Sequence, residues 1–451
     1  MNDTNSADLR EFSPGYAWYI AALLTVTQIV SYLDRFLPGL LLQPIKHALA
    51  LSDFQMGLLL GPAFVIFYVA LGVPLGWLAD RVSRRAILAV GIAIWCTMTA
   101  AGAAATGFVP LLLARLGVGF GEASVAPASI SLISDYFTRE RRARAISLFM
   151  SGAFLGAGTT FLFFGPLVHR IESHPAFSLP FVGRLEPWRM CFVLVGIPGL
   201  LLAILMLTVR EPGRLERTAS AGFRAAFVFI ARRWRAFGTL FLASACNVTM
   251  GALAFWNVAL FKRTWNWDVA QVGVAVGLVL FTAGPLGTLL GVFLTNGDLR
   301  KGRPDATLRA LFLGLLIGVP AYIVFPLMPS AALGIAALFV AHLGQAMATA
   351  AGPATLVMLT PGQMRAQATA VYYLVVSVIA QLIGPPLVGI MTDRMGEPAA
   401  LRYAVSIEVV MIGIPSIVLV FLGFAAYRRA VLALEQELGP KPASAALGAN
   451  A

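Results

Sequence analysis

The sequence predicts an all-α membrane protein in which twelve transmembrane helices form two pseudo-symmetric bundles of six. Three observations lead to this prediction. Of the 451 residues, 59% are hydrophobic and only 12% are charged, whereas a soluble domain carries about 25% charged residues. Twelve apolar segments reach the roughly 20 residues that a helix needs to cross a bilayer. Basic residues concentrate on one side of the membrane that these segments define.

The apolar segments follow one another with short polar connections. They lie at 17–42, 54–79, 86–106, 109–136, 145–168, 189–209, 237–261, 269–295, 306–328, 331–359, 366–391 and 403–427. The first segment is longer than the apolar core of a signal peptide, and no small-residue cleavage site follows it. We therefore expect it to remain in the protein as helix 1.

The net charge of +12 could suggest a nucleic-acid partner, but its distribution argues against one. With both termini placed in the cytoplasm, 23 of the 33 Lys and Arg residues lie on cytoplasmic tails and loops. Eight lie on outer loops and 2 within helices. This asymmetry follows the positive-inside rule. It predicts a multi-pass protein with cytoplasmic N and C termini, whose partners include membrane lipids and no nucleic acid.

A basic stretch divides the chain into two halves. The predicted units are an N-terminal tail, a six-helix bundle, a cytoplasmic linker, a second six-helix bundle and a C-terminal tail, at 1–16, 17–209, 210–236, 237–427 and 428–451. The sequence GPLVHRI at 165–171 is echoed by GPPLVGI at 384–390, an offset near 220 residues. Parallel repeats of this kind are typical of transporters that alternate access around a central site.

The segment GVPLGWLADRVSRRAIL at 72–88 carries a distinctive loop. It resembles the signature loop of the major facilitator superfamily, with the matching residues Gly76, Asp80, Arg81, Arg84 and Arg85. We expect Gly76 to allow a close helix approach. We expect Asp80 and the arginines to form a cytoplasmic latch that holds one conformation shut. The alternative is an ordinary basic loop that stops translocation.

Two further stretches narrow the resemblance to the spinster branch of that superfamily. They are SYLDRFLPGLLL (31–42) in helix 1 and LLLARLGVGFGEASVAPASISLISDYFTRERRARAISLF (111–149), which begins in helix 4. The matching residues are Tyr32, Asp34, Arg35, Phe36, Arg115, Gly119, Gly121, Glu122 and Ala123. The resemblance implies the major facilitator fold, transport of lysophospholipid or sphingoid molecules and a proton-coupled mechanism. It also implies a bacterial inner-membrane protein.

Four ionisable residues lie deep within helices 1 and 4. Each charge in hydrocarbon costs a few kcal/mol, so such residues mark a functional site by default. At 1.5 Å per residue, Asp34 and Arg115 lie roughly 10 Å below the outer membrane edge and Glu122 roughly 20 Å. We therefore expect Asp34 and Arg35 to face Arg115, with Glu122 near the midplane.

The positions of the four charges suggest a role for each. An unpaired carboxylate in this setting takes up a proton. Glu122 is the expected proton carrier because it lies deeper and has fewer partners at its level, and Asp34 is its expected partner in coupling. Arg35 and Arg115, with Tyr32 beside them, are expected to bind an anionic headgroup or to exchange partners during gating. The alternative is a static salt-bridge network that only fixes packing.

The C-terminal half offers weaker candidates for the lining of a cavity. They are Asn247, Trp256, Asn257, Gln345 and Tyr373. Hydrogen bonds between helices explain these residues at least as well. Glu408, near the start of helix 12, is expected to pair with Arg402 or to face the membrane interface.

The sequence thus predicts a secondary active transporter that carries an amphipathic, lipid-like substrate together with protons, acts as a monomer and needs no cofactor. A proton-linked carrier of small organic anions or drugs is the alternative within transport. A membrane-embedded lipid enzyme would need a nucleophile–base or metal constellation. With only four His and no Gly-x-Ser-x-Gly motif, we expect no catalytic or metal site. The two-half repeat disfavours a channel.

Overall fold

The computed structural model describes residues 12–79, 81–174, 177–179, 183–213, 223–396 and 399–438. Within these ranges, twelve helices are long and apolar enough to cross a membrane. We number them helix 1 to helix 12 by their apolar spans, beyond which several of the helices continue: Pro14–Leu40, Asp53–Gly72, Arg84–Gly102, Phe108–Tyr136, Arg144–Glu172, Pro187–Leu207, Trp234–Trp265, Val269–Arg300, Ala306–Leu327, Ala331–Leu359, Gln367–Met395 and Ala400–Glu437. The predicted fold class is confirmed.

Five of these helices are interrupted, either by a turn or by a short π or 3-10 segment. Their parts are Asp53–Leu60 and Pro62–Ala79 in helix 2; Phe108–Glu122 and Val125–Tyr136 in helix 4; Arg139–Thr159, the π-helical Thr160–Phe164 and Gly165–Glu172 in helix 5; Trp234–Ala252, the 3-10 turn Leu253–Trp256 and Asn257–Trp265 in helix 7; and Ala306–Val324 with the 3-10 turn Phe325–Leu327 in helix 9. The break in helix 4 directly follows Glu122. Pro127 causes it, because proline has no N–H to donate to the carbonyl of Ala123.

The remaining elements lie between or beyond the membrane segments. They are the helices Leu42–Ala48 and Phe223–Arg232, the 3-10 turn Gly362–Met364, and strands β1 (Phe177–Leu179) and β2 (Gly183–Leu185). The strands pair antiparallel with Phe177 opposite Leu185. Helix 11 begins at Arg365, and helix 12 continues to Leu438, past its predicted end at 427. Hydropathy marks only the apolar part, whereas the helix-forming residues after 427 extend the helix into water.

The two halves meet on the face of the molecule opposite the chain termini, which we call the far side. One apolar cluster there is continuous across the halves and includes Leu37 and Met56 of the first half and Phe255 and Phe261 of the second. Helices 2 and 11 approach so closely that a Cβ on Gly57 would lie 2.8 Å from the Cα of Pro386. The far side is therefore closed.

Toward the face that holds the termini, which we call the terminal side, the halves separate. A Cβ on Gly72 in helix 2 would have no neighbouring atom within 4 Å. Tyr373, in the part of helix 11 nearer the terminal side, is 52% exposed. The described hydrogen bonds and ion pairs that join the halves lie on the far side. The central cavity thus opens toward the terminal side.

Candidate functional site

Arg35 of helix 1 and Glu122 of helix 4 form a buried ion pair between the two helices. The Arg35 Nη2 atom lies 2.9 Å from Glu122 Oε2, and Ser31 donates its hydroxyl to the same oxygen at 2.6 Å. Glu122 is fully buried, whereas the Arg35 side chain is 13% exposed. Arg35 is therefore the member of this pair that a molecule in the cavity can reach.

Asp34 occupies a separate position on the same helix. Thr99 of helix 3 donates its hydroxyl to Asp34 Oδ1 at 2.9 Å. Arg115 of helix 4 completes a looser ion pair, with its Nη1 atom 3.7 Å from Asp34 Oδ2. Both members are buried, at 0% and 1% exposure. This pair is closed to the cavity, unlike Arg35.

The structure brings the four predicted charges together, and Asp34 faces Arg115 as expected. Arg35 was also expected to face Arg115; instead it reaches Glu122, which was expected to have fewer partners. Side chains on a helix tilt toward its N-terminus. The long Arg35 side chain therefore extends one turn toward the terminal side, to the level of Ser31 and Glu122.

Several polar atoms of this network have no hydrogen-bond partner among the described residues, although they are buried. They are Asp34 Oδ2, Glu122 Oε1, Arg35 Nε, Arg115 Nε and Arg115 Nη2. Buried polar groups are nearly always hydrogen-bonded, and a partly satisfied network is less stable than a complete one. The network therefore has spare capacity to bind a ligand, a proton or water.

Aromatic rings surround the guanidinium of Arg35. Its Cζ atom lies 4.2 Å from the ring centroid of Phe64, 4.7 Å from that of Tyr32 and 5.1 Å from that of Tyr68. Guanidinium groups stack favourably on aromatic faces. These rings hold Arg35 in place and give its surroundings an apolar character, so an amphipathic molecule can contact a charge and hydrocarbon together.

The glycines before Glu122 bring helix 4 close to its neighbours. A Cβ on Gly121 would lie 2.7 Å from the backbone nitrogen of Trp95 in helix 3. Any larger residue at this position would push the helices apart and move Glu122 away from helix 1. The Gly-x-Gly-Glu pattern thus has a structural reason.

The predicted latch loop lies on the terminal side, and its acid, Asp80, falls outside the described residues. Arg84 is buried and pairs with Asp135 and with Glu211, whose Oε1 lies 2.8 Å from Arg84 Nε. The backbone N–H of Arg85 donates to Glu211 at 3.0 Å. Arg81 is exposed. These described contacts of Arg84 and Arg85 stay within the N-terminal half in this conformation.

Gly76 does not occupy the close helix contact that was expected. A Cβ placed on Gly76 would meet only the Cβ of Pro127, at 3.7 Å, which is ordinary van der Waals contact. The close approach of helix 2 occurs on the far side instead, at Gly57. The expectation for Gly76 was therefore wrong.

The cavity candidates of the C-terminal half divide into three groups. Asn247 donates to Thr349 at 2.8 Å, and Gln345 accepts from the hydroxyl of Tyr322 at 3.1 Å, so both form hydrogen bonds between helices. Trp256 and Asn257 are buried, at 0% and 2% exposure. Tyr373, described above, is the most exposed of the five candidates.

Contrary to the expectation from the sequence, Glu408 neither pairs with Arg402 nor faces the membrane interface. It is 1% exposed, and neither carboxylate oxygen has a hydrogen-bond partner among the described residues. Arg402 instead points to the carbonyl of Met328, at 3.5 Å. Within the described ranges, no three His, Cys, Asp or Glu side chains are grouped so that they could hold a metal ion.

Sequence reasoning missed a charged cluster on the far side. Arg263 of helix 7 donates two hydrogen bonds to Asp53 at the start of helix 2, and Lys46 lies 2.7 Å from the same carboxylate. Asp393 of helix 11 accepts the backbone N–H groups of Asp53 and Phe54, at 2.9 and 2.8 Å. The only signal in the sequence was the presence of charges at the predicted outer ends of helices.

The sequence of this chain is similar to those of known membrane transporters. A sequence profile of the Major Facilitator Superfamily matches residues 24–258, just over half of the chain. An MFS-type efflux pump of Mycolicibacterium smegmatis is 27% identical over 95% of this chain and 97% of its own length. Protein spinster of Drosophila melanogaster is 28% identical over 67% of this chain, a match that spans only 49% of the fly protein.

Among solved structures, this fold is similar to a bacterial homologue of the human lysosomal transporter spinster, in its inward-facing and unoccupied conformation. The TM-score is 0.77 and the identity 28%, with 93% of this chain and 98% of that chain covered. The two chains thus share their fold over nearly their whole lengths.

Proposed function

The chain belongs to the major facilitator superfamily and resembles its spinster branch, and on that basis we propose that it is a proton-coupled secondary transporter of amphipathic, lipid-like molecules. Its substrates are lysophospholipid or sphingoid molecules, and protons are its coupling ions. It acts as a monomer in the bacterial inner membrane, among membrane lipids. The terminal side faces the cytoplasm, so the conformation described here faces inward.

The observation that carries this proposal is the ion pair between Arg35 and Glu122 at the edge of the cavity. Arg35 is partly exposed and surrounded by Phe64, Tyr32 and Tyr68, whereas Glu122 is fully buried. A guanidinium presents a planar fork of donors that suits phosphate or carboxylate. An anionic headgroup that enters the cavity therefore competes with Glu122 for Arg35.

This competition links the substrate to a proton. When the headgroup takes Arg35, the Glu122 carboxylate loses its cation inside the membrane. An ionised carboxylate without a partner is very costly there, so Glu122 takes up a proton from the cavity. Headgroup and proton consequently bind together, and both are released when Arg35 returns to Glu122. Asp34 and Arg115 provide a second, more deeply buried pair that adjusts as the halves move.

The aromatic surroundings of Arg35 support a lipid-like substrate over a fully polar one, whereas two relatives, named as a probable L-galactonate transporter and a hexuronate transporter, support a small organic anion. Small organic anions remain the second candidate, because Arg35 would bind their carboxylates by the same chemistry. The two candidates differ in one respect that can be measured. Only a lipid-like substrate needs an acyl chain for high affinity.

The proposal is tested by uptake into proteoliposomes. Labelled lysophosphatidylglycerol, a sphingoid base and a short-chain organic phosphate would be compared, each with and without an imposed pH gradient. Wild-type protein would be compared with Glu122→Gln and with the control Glu172→Gln, which alters a glutamate of the same half outside the network. We expect gradient-driven uptake of the lysophospholipid, lost in Glu122→Gln and kept in the control.

Two outcomes would contradict the proposal. Lipid uptake that responds neither to the gradient nor to Glu122→Gln would make the ion pair structural and the protein a facilitator. Uptake of the short-chain phosphate alone would favour the organic-anion carrier.

A further inference from the structure

A second site lies outside the central cavity, on the terminal side of the C-terminal half. A cavity of about 670 Å³ lies between the ends of helices 8, 9 and 12. Its basic lining residues are Lys301, Arg303, Arg309 and Arg428. None of the residues assigned above to transport lines this cavity, so its chemistry needs a separate explanation.

The cavity has more positive than negative charge. Arg309 and Arg428 both donate to one oxygen of Asp305, Oδ2, at 3.1 and 2.8 Å. Arg303 pairs with Asp298 at 2.8 Å. Lys301 makes no ion pair with any residue that the structure describes. Four cations thus face two carboxylates, an excess of two positive charges.

The N-terminal half has the reverse arrangement of charges on the same side of the molecule. There the buried Arg84 lies between two acids, Asp135 and Glu211. In the C-terminal half the buried carboxylate of Asp305 lies between two arginines, Arg309 and Arg428. Positive charge is therefore in excess at the C-terminal site.

The remaining walls of the cavity are apolar and belong to membrane-spanning helices. Phe293 of helix 8 and Phe421 of helix 12 line it and are 74% and 66% exposed. Such large apolar side chains on a transmembrane helix face lipid. The basic residues lie at the helix ends, where headgroups are found. The site thus combines cations at headgroup level with an apolar wall that leads toward the bilayer core.

We propose that this cavity binds an anionic phospholipid of the membrane. The lipid phosphate lies among Lys301, Arg303 and Arg428, and an acyl chain follows Phe293 and Phe421. Juxtamembrane basic groups bind anionic lipids by this electrostatic attraction. The bound phosphate offsets the excess of positive charge between helices 8, 9 and 12, and so stabilises the terminal end of the second bundle.

The experiment measures thermal stabilisation of the full-length protein in detergent during titration with lipid. A molecule that binds the folded state raises the unfolding temperature in a saturable manner. The probes are phosphatidylglycerol, phosphatidylcholine of the same chain length, and inorganic phosphate. The variants are Lys301→Gln, the pair Lys301→Gln with Arg428→Gln, and the matched control pair Arg300→Gln with Arg429→Gln, which alters neighbours that do not line the cavity.

We expect saturable stabilisation by phosphatidylglycerol alone. Lys301→Gln should raise the half-saturating concentration roughly five-fold and the double variant roughly twenty-fold, whereas the control pair should change it less than two-fold. Lys301→Gln decides the matter if the double variant does not fold, because Lys301 has no ion pair to lose. Equal stabilisation by phosphatidylcholine or by inorganic phosphate, or an equal loss in the control pair, would overturn the proposal.

Discussion

Arg263 of helix 7 holds Asp53 of helix 2 with two hydrogen bonds, of 2.7 and 2.8 Å, that cross from one half of the protein to the other. Asp53 is also the first residue of its helix, and Asp393 of helix 11 accepts its backbone N–H. Three helices are thereby joined at one point on the far side. Since this face would have to open for alternating access, we infer that the cluster acts as a gate on the far side.

The gate predicts the effect of Arg263→Gln. Loss of the two hydrogen bonds to the Asp53 carboxylate costs about 2 kcal/mol. Lys46 still forms an ion pair with Asp53 in this variant. The population open on the far side should therefore rise at least about tenfold. Labelling of a cysteine introduced into the closed apolar cluster of the far side would measure this. Lys262→Gln, which changes the neighbouring residue, should have little effect, and an equal effect there would contradict the gate.

The substrate model predicts a specific defect for Arg35→Lys. Lysine keeps the charge but loses the planar fork and the stacking on Phe64. The concentration of lysophosphatidylglycerol that gives half-maximal uptake should rise roughly tenfold. Arg189→Lys provides a control, because Arg189 also stacks on an aromatic ring, that of Trp188, but lies at the far side. Unchanged uptake in Arg35→Lys would remove Arg35 from substrate binding.

We expect the Glu211 carboxylate to stabilise the folded state to an extent that depends on pH. Burial opposes its ionisation, but hydrogen bonds from the Arg84 side chain, the Arg85 backbone and Ser83 outweigh burial and lower the pKa of Glu211 below its ordinary value of 4.5. A carboxyl with a lowered pKa stabilises the folded state above its unfolded pKa. This contribution is lost as the pH falls through the folded pKa.

Glu211→Gln should therefore lower the unfolding temperature at pH 7, by an amount that corresponds to roughly 2 kcal/mol. The difference from wild type should shrink as the pH is lowered through the folded pKa, because the wild-type carboxyl then becomes neutral. Thermal unfolding at a series of pH values measures both. Glu435→Gln, on the exposed end of helix 12, should show no such difference. A gap between Glu211→Gln and wild type that persists at low pH would refute the ionic role.

Replacing Glu408 should have the opposite effect on stability from replacing Glu122. Because Glu408 is buried with no hydrogen-bond partner among the described residues, replacing it with an apolar residue of similar size removes an energetic cost. Glu408→Met should leave the unfolding temperature unchanged or raise it. Glu122→Met should lower stability by roughly 3 kcal/mol, because Arg35 then loses its anion. Equal losses in the two variants would show that Glu408 has a stabilising partner.

The sequence predicted the parts of this protein that depend on local pattern. Apolar length and basic asymmetry were sufficient for twelve helices, and the four intramembrane charges pointed to helices 1 and 4. The pairing of Arg35 with Glu122 was not predictable, because a depth count along straight helices ignores side-chain tilt and the break after Glu122. The contact between Asp53 and Arg263 joins residues far apart in sequence, and no local pattern specifies such a partner.

The most direct test of the central claim measures protons during substrate binding. Purified protein in weakly buffered detergent solution would be mixed with lysophosphatidylglycerol, and a pH indicator would follow the proton balance. The competition between headgroup and Glu122 for Arg35 predicts an uptake of about one proton for each bound lipid in wild type, and none in Glu122→Gln. Binding by wild type without proton uptake would contradict the account.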